Sequence, residues 1–148
     1  MHFPPPFVYV AGFLAGWLMQ RRWPWFMTSS ESWVRDGLAD VLFVLWLTLM
    51  GWAMLSFWRA RTTLIPNRPA SQLVTSGPYR ISRNPMYVGL AALYVVVALW
   101  LNSWWPLIFL PLVLAVITRV VILREEHYLA GAFPEEYAAY RQRVRRWL

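Results

Sequence analysis

The polar residues that could do chemistry fall into two short clusters of an otherwise apolar chain. The first cluster contains Gly77-Pro78-Tyr79-Arg80 and Arg83-Asn84-Pro85, and the second is Arg124-Glu125-Glu126-His127. An arginine or the start of a helix can bind an anion, and paired carboxylates can hold a cation. The two clusters can act together only if the chain brings them to one place.

The composition indicates a membrane protein. Of 148 residues, 59% are hydrophobic and 14% are charged, whereas a soluble domain is about half apolar and about a quarter charged. The net charge of +7 comes from arginine. We do not expect nucleic-acid binding, because little of this chain can form an exposed soluble face. Positive loops beside anionic lipid explain the charge better.

Several chemistries are excluded by residue type. The chain has no cysteine, which removes disulfides, thiolate catalysis and cysteine-ligated metals. His2 and His127 are the two histidines, and they cannot build a usual metal site. We therefore predict no metal. No P-loop, HExxH or GxSxG pattern occurs.

We predict an all-α polytopic membrane protein with about four transmembrane helices, a C-terminal helical hairpin and an amphipathic cytoplasmic tail helix. The predicted segments are Phe3–Met19, Val41–Trp58, Pro85–Leu101 and Trp104–Leu123, with the hairpin turning at Asn102-Ser103. Residues 1–58 would form N-terminal membrane helices, and residues 59–148 a catalytic hairpin with its loop and cofactor-binding segment. Gly12 and Gly16 form a GxxxG pair that favours a close helix contact.

The connecting segments have distinct compositions. Gln20–Gly37 mixes charged residues with tryptophan and predicts an interfacial loop. Arg59–Arg83 is an acid-free loop with breaks at Pro66 and Pro69. A tail helix is predicted to begin at Pro134, with one face formed by Tyr137, Tyr140, Val144 and Trp147.

The hairpin predicts that the two polar clusters meet at one membrane face. The loop 59–85 carries five arginines and the 102–103 turn carries none, so the positive-inside rule places the loop and the tail in the cytoplasm. We expect a multi-pass protein of the bacterial inner membrane with a cytoplasm-facing site.

Each candidate residue also has a purely structural interpretation. Asn84 can cap the third helix, or the helix start can bind an anion with Arg80 or Arg83. Glu125 and Glu126 can be solvated or paired with Arg119 and Arg124, or they can hold a cation. Arg119 can snorkel to the interface or line a polar cavity. Tyr79 and Tyr87 can belong to the interfacial belt or stack on a ligand.

The two clusters resemble the paired motifs of the isoprenylcysteine carboxyl methyltransferase and phospholipid methyltransferase superfamily. The first motif matches Gly77-Pro78-Tyr79-Arg80-x-x-Arg83-Asn84-Pro85-x-Tyr87-x-Gly89. The second matches Arg124-Glu125-Glu126-x-x-Leu129-x-x-x-Phe133-x-x-x-Tyr137-x-x-Tyr140. They occur in the family's order, on either side of a hydrophobic hairpin.

The resemblance implies a membrane methyltransferase that uses S-adenosyl-L-methionine and takes a lipid-like or prenylated substrate from the membrane lipid. The implied cofactor-binding residues are Tyr79, Arg83, Asn84, Pro85, Tyr87, Glu125 and Glu126. Glu126, Arg119 and Arg141 are the candidate catalytic residues.

The acceptor is less defined by the motifs than the cofactor. Many family members, especially prenylcysteine enzymes, have histidine where this chain has Asn84. A prenylcysteine-like carboxylate needs a positive clamp such as Arg119 or Arg141. A phospholipid amine must first lose a proton, for which Glu125, Glu126 or His127 would be candidates. The arginine excess favours an anionic acceptor or headgroup. The other alternative is a non-enzymatic multispan protein that binds lipid or acts as a scaffold.

Overall fold

The computed structural model describes residues 5–59 and 73–148, and every regular element in these ranges is helical. The elements are α1 (Pro5–Arg22), α2 (Trp33–Arg59), a 3-10 turn (Gly77–Arg80), α3 (Pro85–Trp100), α4 (Trp104–Ile117), a π-helical turn (Thr118–Ile122), α5 (Leu123–Ala132) and α6 (Pro134–Arg143). The predicted all-α class is confirmed over this part of the chain. The predicted start at Phe3 and the breaks at Pro66 and Pro69 lie outside the described residues.

Two helices in the described ranges are long and apolar enough to cross a membrane. They are Trp33–Ser56 and the continuous helical stretch Trp104–Ala132. Helix α3 is apolar but shorter, with 16 residues. A span needs about 20 apolar residues. The predicted count of four membrane segments therefore stays a prediction.

The predicted interfacial loop 20–37 is shorter in the structure. Helix α1 continues to Arg22, and α2 begins at Trp33. Ser32 explains the early start, because its hydroxyl accepts a hydrogen bond from the Arg35 N–H at 3.3 Å, and its carbonyl accepts one from the Asp36 N–H at 3.0 Å. Such capping satisfies N–H groups that a helix start leaves free.

Among the described residues, the first compact unit comprises residues 5–46 and 90–121. Within it α1 packs against α4. Gly12 lies against Val113, and the backbone of Pro106 lies so close to Gly16 that a Cβ there would be 2.7 Å from its Cα atom. The predicted close contact of the GxxxG pair is confirmed, because any larger residue would push the two helices apart.

The hairpin turn within this unit is fixed by Asn102. Its φ of 51° lies in the left-handed region, which asparagine tolerates better than most residues. The side-chain oxygen accepts hydrogen bonds from the N–H groups of Met27 and Thr28, both at 3.0 Å. The side-chain nitrogen donates to the Thr28 carbonyl at 2.9 Å. The turn is therefore where the sequence predicted it.

Among the described residues, the second compact unit comprises residues 47–59, 73–89 and 122–148. Here α5 packs against α6, which begins at Pro134 as predicted. Tyr137 and Tyr140 are buried. Helix α6 ends at Arg143, and Val144 is extended with φ −125° and ψ 132°. Val144 and Trp147 therefore lie beyond the helix and do not continue its face, because the chain leaves α6 to pair with residues 82–84.

Candidate functional site

The first motif begins with a turn that requires glycine. Gly77 has a φ of +61°, and a Cβ at this position would overlap the Ser56 hydroxyl of α2. Only glycine combines this backbone conformation with such a close approach. The 3-10 turn that follows places Tyr79 in the interior, where its carbonyl accepts a hydrogen bond from the Tyr140 hydroxyl at 2.6 Å. The motif is thereby tied to α6.

Asn84 joins the first motif to the end of the chain. Its carbonyl accepts hydrogen bonds from the N–H groups of Tyr87 and Val88 at 3.0 and 3.1 Å, which begins α3. Its side-chain nitrogen donates to the Arg146 carbonyl at 2.9 Å. We name residues 144–148, which follow α6, the C-terminal strap. The Asn84 side chain is thus used to hold this strap, while Pro85 is fully buried at the first position of α3.

Glu126 lies between two guanidinium groups. Arg146 makes a bidentate contact, with Nε 2.9 Å from Oε1 and Nη2 2.8 Å from Oε2. Arg83 places Nη1 3.1 Å from Oε1. The Glu126 side chain is 11% exposed, and those of Arg83 and Arg146 are 10% and 35% exposed. Such charge-assisted contacts are strong. Both carboxylate oxygens of Glu126 are therefore engaged by arginines of this chain.

Glu125 has a different environment. In the described part of the chain it accepts one hydrogen bond, from the Tyr87 hydroxyl at 2.8 Å. It is half-buried and has no ion pair with a described residue. A carboxylate can accept about four hydrogen bonds. Glu125 therefore keeps acceptor capacity that Glu126 has largely used.

Arg83 keeps an unused donor. Its Nη1 lies 3.2 Å from the Tyr137 hydroxyl, in addition to its contact with Glu126. Its Nε is buried and has no hydrogen-bond partner among residues 5–59 and 73–148. A buried donor without a partner is costly unless another group satisfies it. The arrangement suits an anionic group of a ligand.

The hydrogen-bonding tyrosines around Arg83 stay neutral. Burial raises the pKa of Tyr140, so the hydroxyl keeps its proton and donates to the Tyr79 carbonyl. Burial also raises the pKa of Tyr137, and the charge of Glu126 adds to this effect. The hydrogen bond to Glu126 raises the pKa of Arg146 above its ordinary value, so this guanidinium stays charged.

The structure brings most of the predicted site residues into the second unit. Tyr79, Arg83, Asn84, Pro85, Tyr87, Glu125 and Glu126 all belong to it. Arg141 is exposed on α6, and its charge is close enough to act on Tyr137. Arg119 is exposed on the π-helical turn and belongs to the first unit. The predicted pairing of Glu126 with Arg119 is not found in the described residues, because Arg83 and Arg146 hold this carboxylate instead.

Sequence reasoning missed the C-terminal strap. The Arg145 carbonyl accepts a hydrogen bond from the Arg83 N–H at 2.9 Å, and the Arg146 carbonyl accepts one from the Ser82 hydroxyl at 3.3 Å. Ser82 and Arg145 form a parallel bridge. One signal was available, since a buried carboxylate at position 126 requires a cation, but the sequence does not say which arginine supplies it.

Over residues 5–59 and 73–148, no group of three or more histidine, aspartate or glutamate side chains is placed to hold a metal ion. The absence of a metal from the functional protein stays a prediction. The charged cluster of the second unit is thus built from arginine, glutamate and tyrosine.

An apolar helical chain with this charged cluster fits a class of membrane-associated methyltransferases, and comparison with known proteins agrees. The family model for phospholipid methyltransferases matches residues 34–136. This range covers more than two thirds of the chain. It includes the whole first motif and the second motif as far as residue 136. The chain belongs to the phospholipid methyltransferase family.

Two relatives are similar to the chain over shorter ranges. An uncharacterized protein of Haemophilus influenzae is 38% identical over 63 residues, which are 43% of this chain and all of that protein. The cobalt-zinc-cadmium resistance protein CzcN of Cupriavidus metallidurans is 34% identical over 110 residues, which are 74% of this chain and 50% of that protein. The chain thus matches about half the length of the second relative. No solved structure matches the chain significantly.

Proposed function

We propose that the protein is an integral membrane methyltransferase that uses S-adenosylmethionine and acts on a lipidic acceptor. The observation that carries this proposal is the charge distribution of the second unit. Within the described part of the chain, Glu125 has free acceptor capacity and the buried Nε of Arg83 has no hydrogen-bond partner. Family membership supports methyl transfer as the reaction class.

The residues present fit the charges of this cofactor, which supplies an electrophilic methyl group when bound. Glu125 would hold its cationic part, and Tyr87 would orient that carboxylate through the 2.8 Å hydrogen bond. Arg83 would bind the carboxylate of the cofactor. Glu126 would contribute indirectly, because its own oxygens are engaged by two guanidiniums. The sequence resemblance assigns cofactor binding to both carboxylates. In this proposal Glu125 contacts the cofactor and Glu126 acts through its two arginines.

The chain's own residues need only position the reactants and exclude water. Direct methyl transfer requires no serine or cysteine nucleophile, so holding acceptor and donor in line can supply much of the catalysis. The packing of Tyr79, Tyr137 and Tyr140 in the interior limits water around Arg83. An amine acceptor would also have to lose a proton, and Glu125 or His127 is better placed than the occupied Glu126 to take it.

Two acceptor classes remain as proposals. A prenylcysteine-like carboxylate would need a positive clamp, for which the exposed Arg119 and Arg141 are candidates. The family match favours the second class, a phospholipid amine methylated on nitrogen. Both acceptors carry a long apolar part beside their polar reacting group, and both would enter from the bilayer. A labelled-methyl assay over lipid extracts distinguishes them by the headgroup that gains the label.

The decisive experiment is cofactor binding to the full chain in detergent. Glu125→Gln keeps the shape of the side chain but removes its charge. Charge-assisted contacts contribute about 1.5–3 kcal/mol, so calorimetry should show affinity for S-adenosylmethionine lowered by roughly tenfold or more. Glu135→Gln on the exposed start of α6 is the matched control and should bind as the wild type does.

Equal affinity in the wild type and Glu125→Gln would remove Glu125 from the proposed site. Absence of specific cofactor binding by the wild type would favour the alternative of a non-enzymatic scaffold or lipid-binding protein. A thermal unfolding curve for each variant shows whether a lost affinity reflects a lost ligand contact or a lost fold.

We also propose a multi-pass arrangement in which the hairpin turn lies across the membrane from the tail. The basis is the absence of arginine at residues 102–103 against five arginines in the loop 59–85. The chain has no cysteine, so single cysteines report cleanly. Leu101→Cys and Arg143→Cys replace exposed residues and should label from opposite sides. Labelling from one side would exclude this topology.

A further inference from the structure

The C-terminal strap is held to the first motif through its backbone. The carbonyl groups of Arg145 and Arg146 accept hydrogen bonds from the Arg83 N–H, the Ser82 hydroxyl and the Asn84 side chain. None of these contacts uses the side chain of residue 146. The strap therefore has the means to stay docked when that side chain is changed.

The side chain of Arg146 alters the charge of the cluster. Arg83, Arg146 and Glu126 are within ion-pair distance, and together they carry two positive charges and one negative charge. Arg146 takes both oxygens of Glu126, at 2.9 and 2.8 Å. Arg83 contacts Oε1 through Nη1, and its buried Nε has no partner among the residues that the structure describes. One positive charge is thus left over among these three groups, and the exposed Arg141 of α6 adds a further positive charge near Glu126.

We propose that Arg146 is a positioning residue that neutralises Glu126 and so leaves the charge of Arg83 available to an anionic group of the ligand. Without Arg146, Glu126 and Arg83 would form a one-to-one pair with no net charge. The inference rests on the proposed function, in which that anionic group is the carboxylate of S-adenosylmethionine. In this inference Arg146 makes the site prefer a ligand that carries the carboxylate, although Arg146 itself does not have to contact that carboxylate.

The test compares two ligands that differ in the carboxylate. Wild type, Arg146→Gln and Arg143→Gln are titrated in detergent with S-adenosylmethionine and with its decarboxylated form. Wild type should bind the carboxylate-bearing form more tightly. Arg146→Gln should lose about tenfold or more in affinity for that form and change little for the decarboxylated form. Arg143, exposed on α6, is the arginine control and should bind both ligands as the wild type does.

The change in affinity of Arg146→Gln for the two ligands distinguishes the positioning role from a purely structural role and from competition for Glu126. An equal loss for both ligands would mean that Arg146 only supports the fold. A gain in affinity for S-adenosylmethionine would mean that Arg146 competes with the ligand's cation for Glu126. Either result overturns the inference. Arg146→Lys restores the charge without the bidentate geometry and should recover part of the carboxylate preference.

A measurement without the nucleoside keeps the inference separate from the proposed function. At equal ionic strength, replacing chloride by sulfate stabilises proteins in general. If Arg83 carries the surplus charge, sulfate should raise the unfolding temperature of wild type and Arg143→Gln more than that of Arg146→Gln. An equal rise in all three contradicts the inference. Wild type that binds neither nucleoside ligand but shows this difference would contradict the proposed function alone.

Discussion

Helix α3 has an asparagine near each end. The charged side chains around the two asparagines differ in how completely they are paired. At the Asn102 end, the amide oxygen and nitrogen both bond to the backbone of residues 27–28. The nearby Arg35 makes a one-to-one pair with Asp36, at 2.9 Å from Nε and 2.7 Å from Nη2. Its Nη1 donates to the Thr28 hydroxyl. At this end the charge of the Arg35 guanidinium is therefore balanced by the carboxylate of the neighbouring Asp36.

The Asn84 end leaves charge unpaired. Two guanidiniums share the carboxylate of Glu126, and no described residue contacts the buried Nε of Arg83 with a hydrogen bond. Asparagine before or after a helix is common to both regions and so does not identify a site. A buried donor without a partner among the described residues occurs at both ends, as Arg83 Nε here and as Gln20 Nε2 beside Ser103. The distinguishing feature is therefore the surplus charge, and this is what an oppositely charged ligand can neutralise.

The largest expected effect comes from removing the shared carboxylate. Glu126→Gln keeps the size of the side chain but leaves Arg83 and Arg146 beside each other without a counter-charge. Breaking a buried ion pair costs about 3–5 kcal/mol. We therefore expect the free energy of unfolding, measured by denaturant titration in detergent, to fall by about this amount.

Glu135→Gln, on the exposed first turn of α6, controls for the loss of a glutamate charge and should unfold as the wild type does. If Glu126→Gln proved as stable as this control, the cluster would not be held by its ion pairs. The comparison between the two ends of α3 would then lose its physical basis.

The sequence predicted the parts of this arrangement that depend on local patterns. The uncharged run and Asn102-Ser103 predicted the hairpin turn, and the helix start at Pro85 follows from proline's preference for the first helical position. The two motifs contain Arg83, Tyr87, Glu125 and Glu126, which contact one another within the second unit. Each of these signals lies within a short stretch of the chain.

The partner of Glu126 could not be predicted in this way. Arg141, Arg143, Arg145 and Arg146 look alike in an arginine-rich tail. Arg146 becomes the partner because residues 83 and 84 donate long-range hydrogen bonds to the backbone carbonyls of Arg145 and Arg146. These hydrogen bonds hold the chain that leaves α6 against residues 82–84. Arg119, one of the alternative partners, lies seven residues before Glu126, which is two turns of an α-helix, but it lies in a π-helical turn. Such a turn breaks the α-helical register on which that spacing depends.

The smallest expected effect comes from breaking the ion pair between Arg35 and Asp36. Asp36→Asn removes the counter-charge of Arg35 with little change of shape, as Glu126→Gln does at the other end. The Asp36 side chain is 44% exposed, and exposed pairs contribute about 0.2–1 kcal/mol. We expect the free energy of unfolding to fall by no more than about 1 kcal/mol, and cofactor affinity to stay as in the wild type. The same denaturant titration and calorimetry measure both quantities. A loss as large as that of Glu126→Gln would show that a single, half-exposed pair stabilises the chain as much as the shared carboxylate, and that counting unpaired charge does not separate a site from a structural contact.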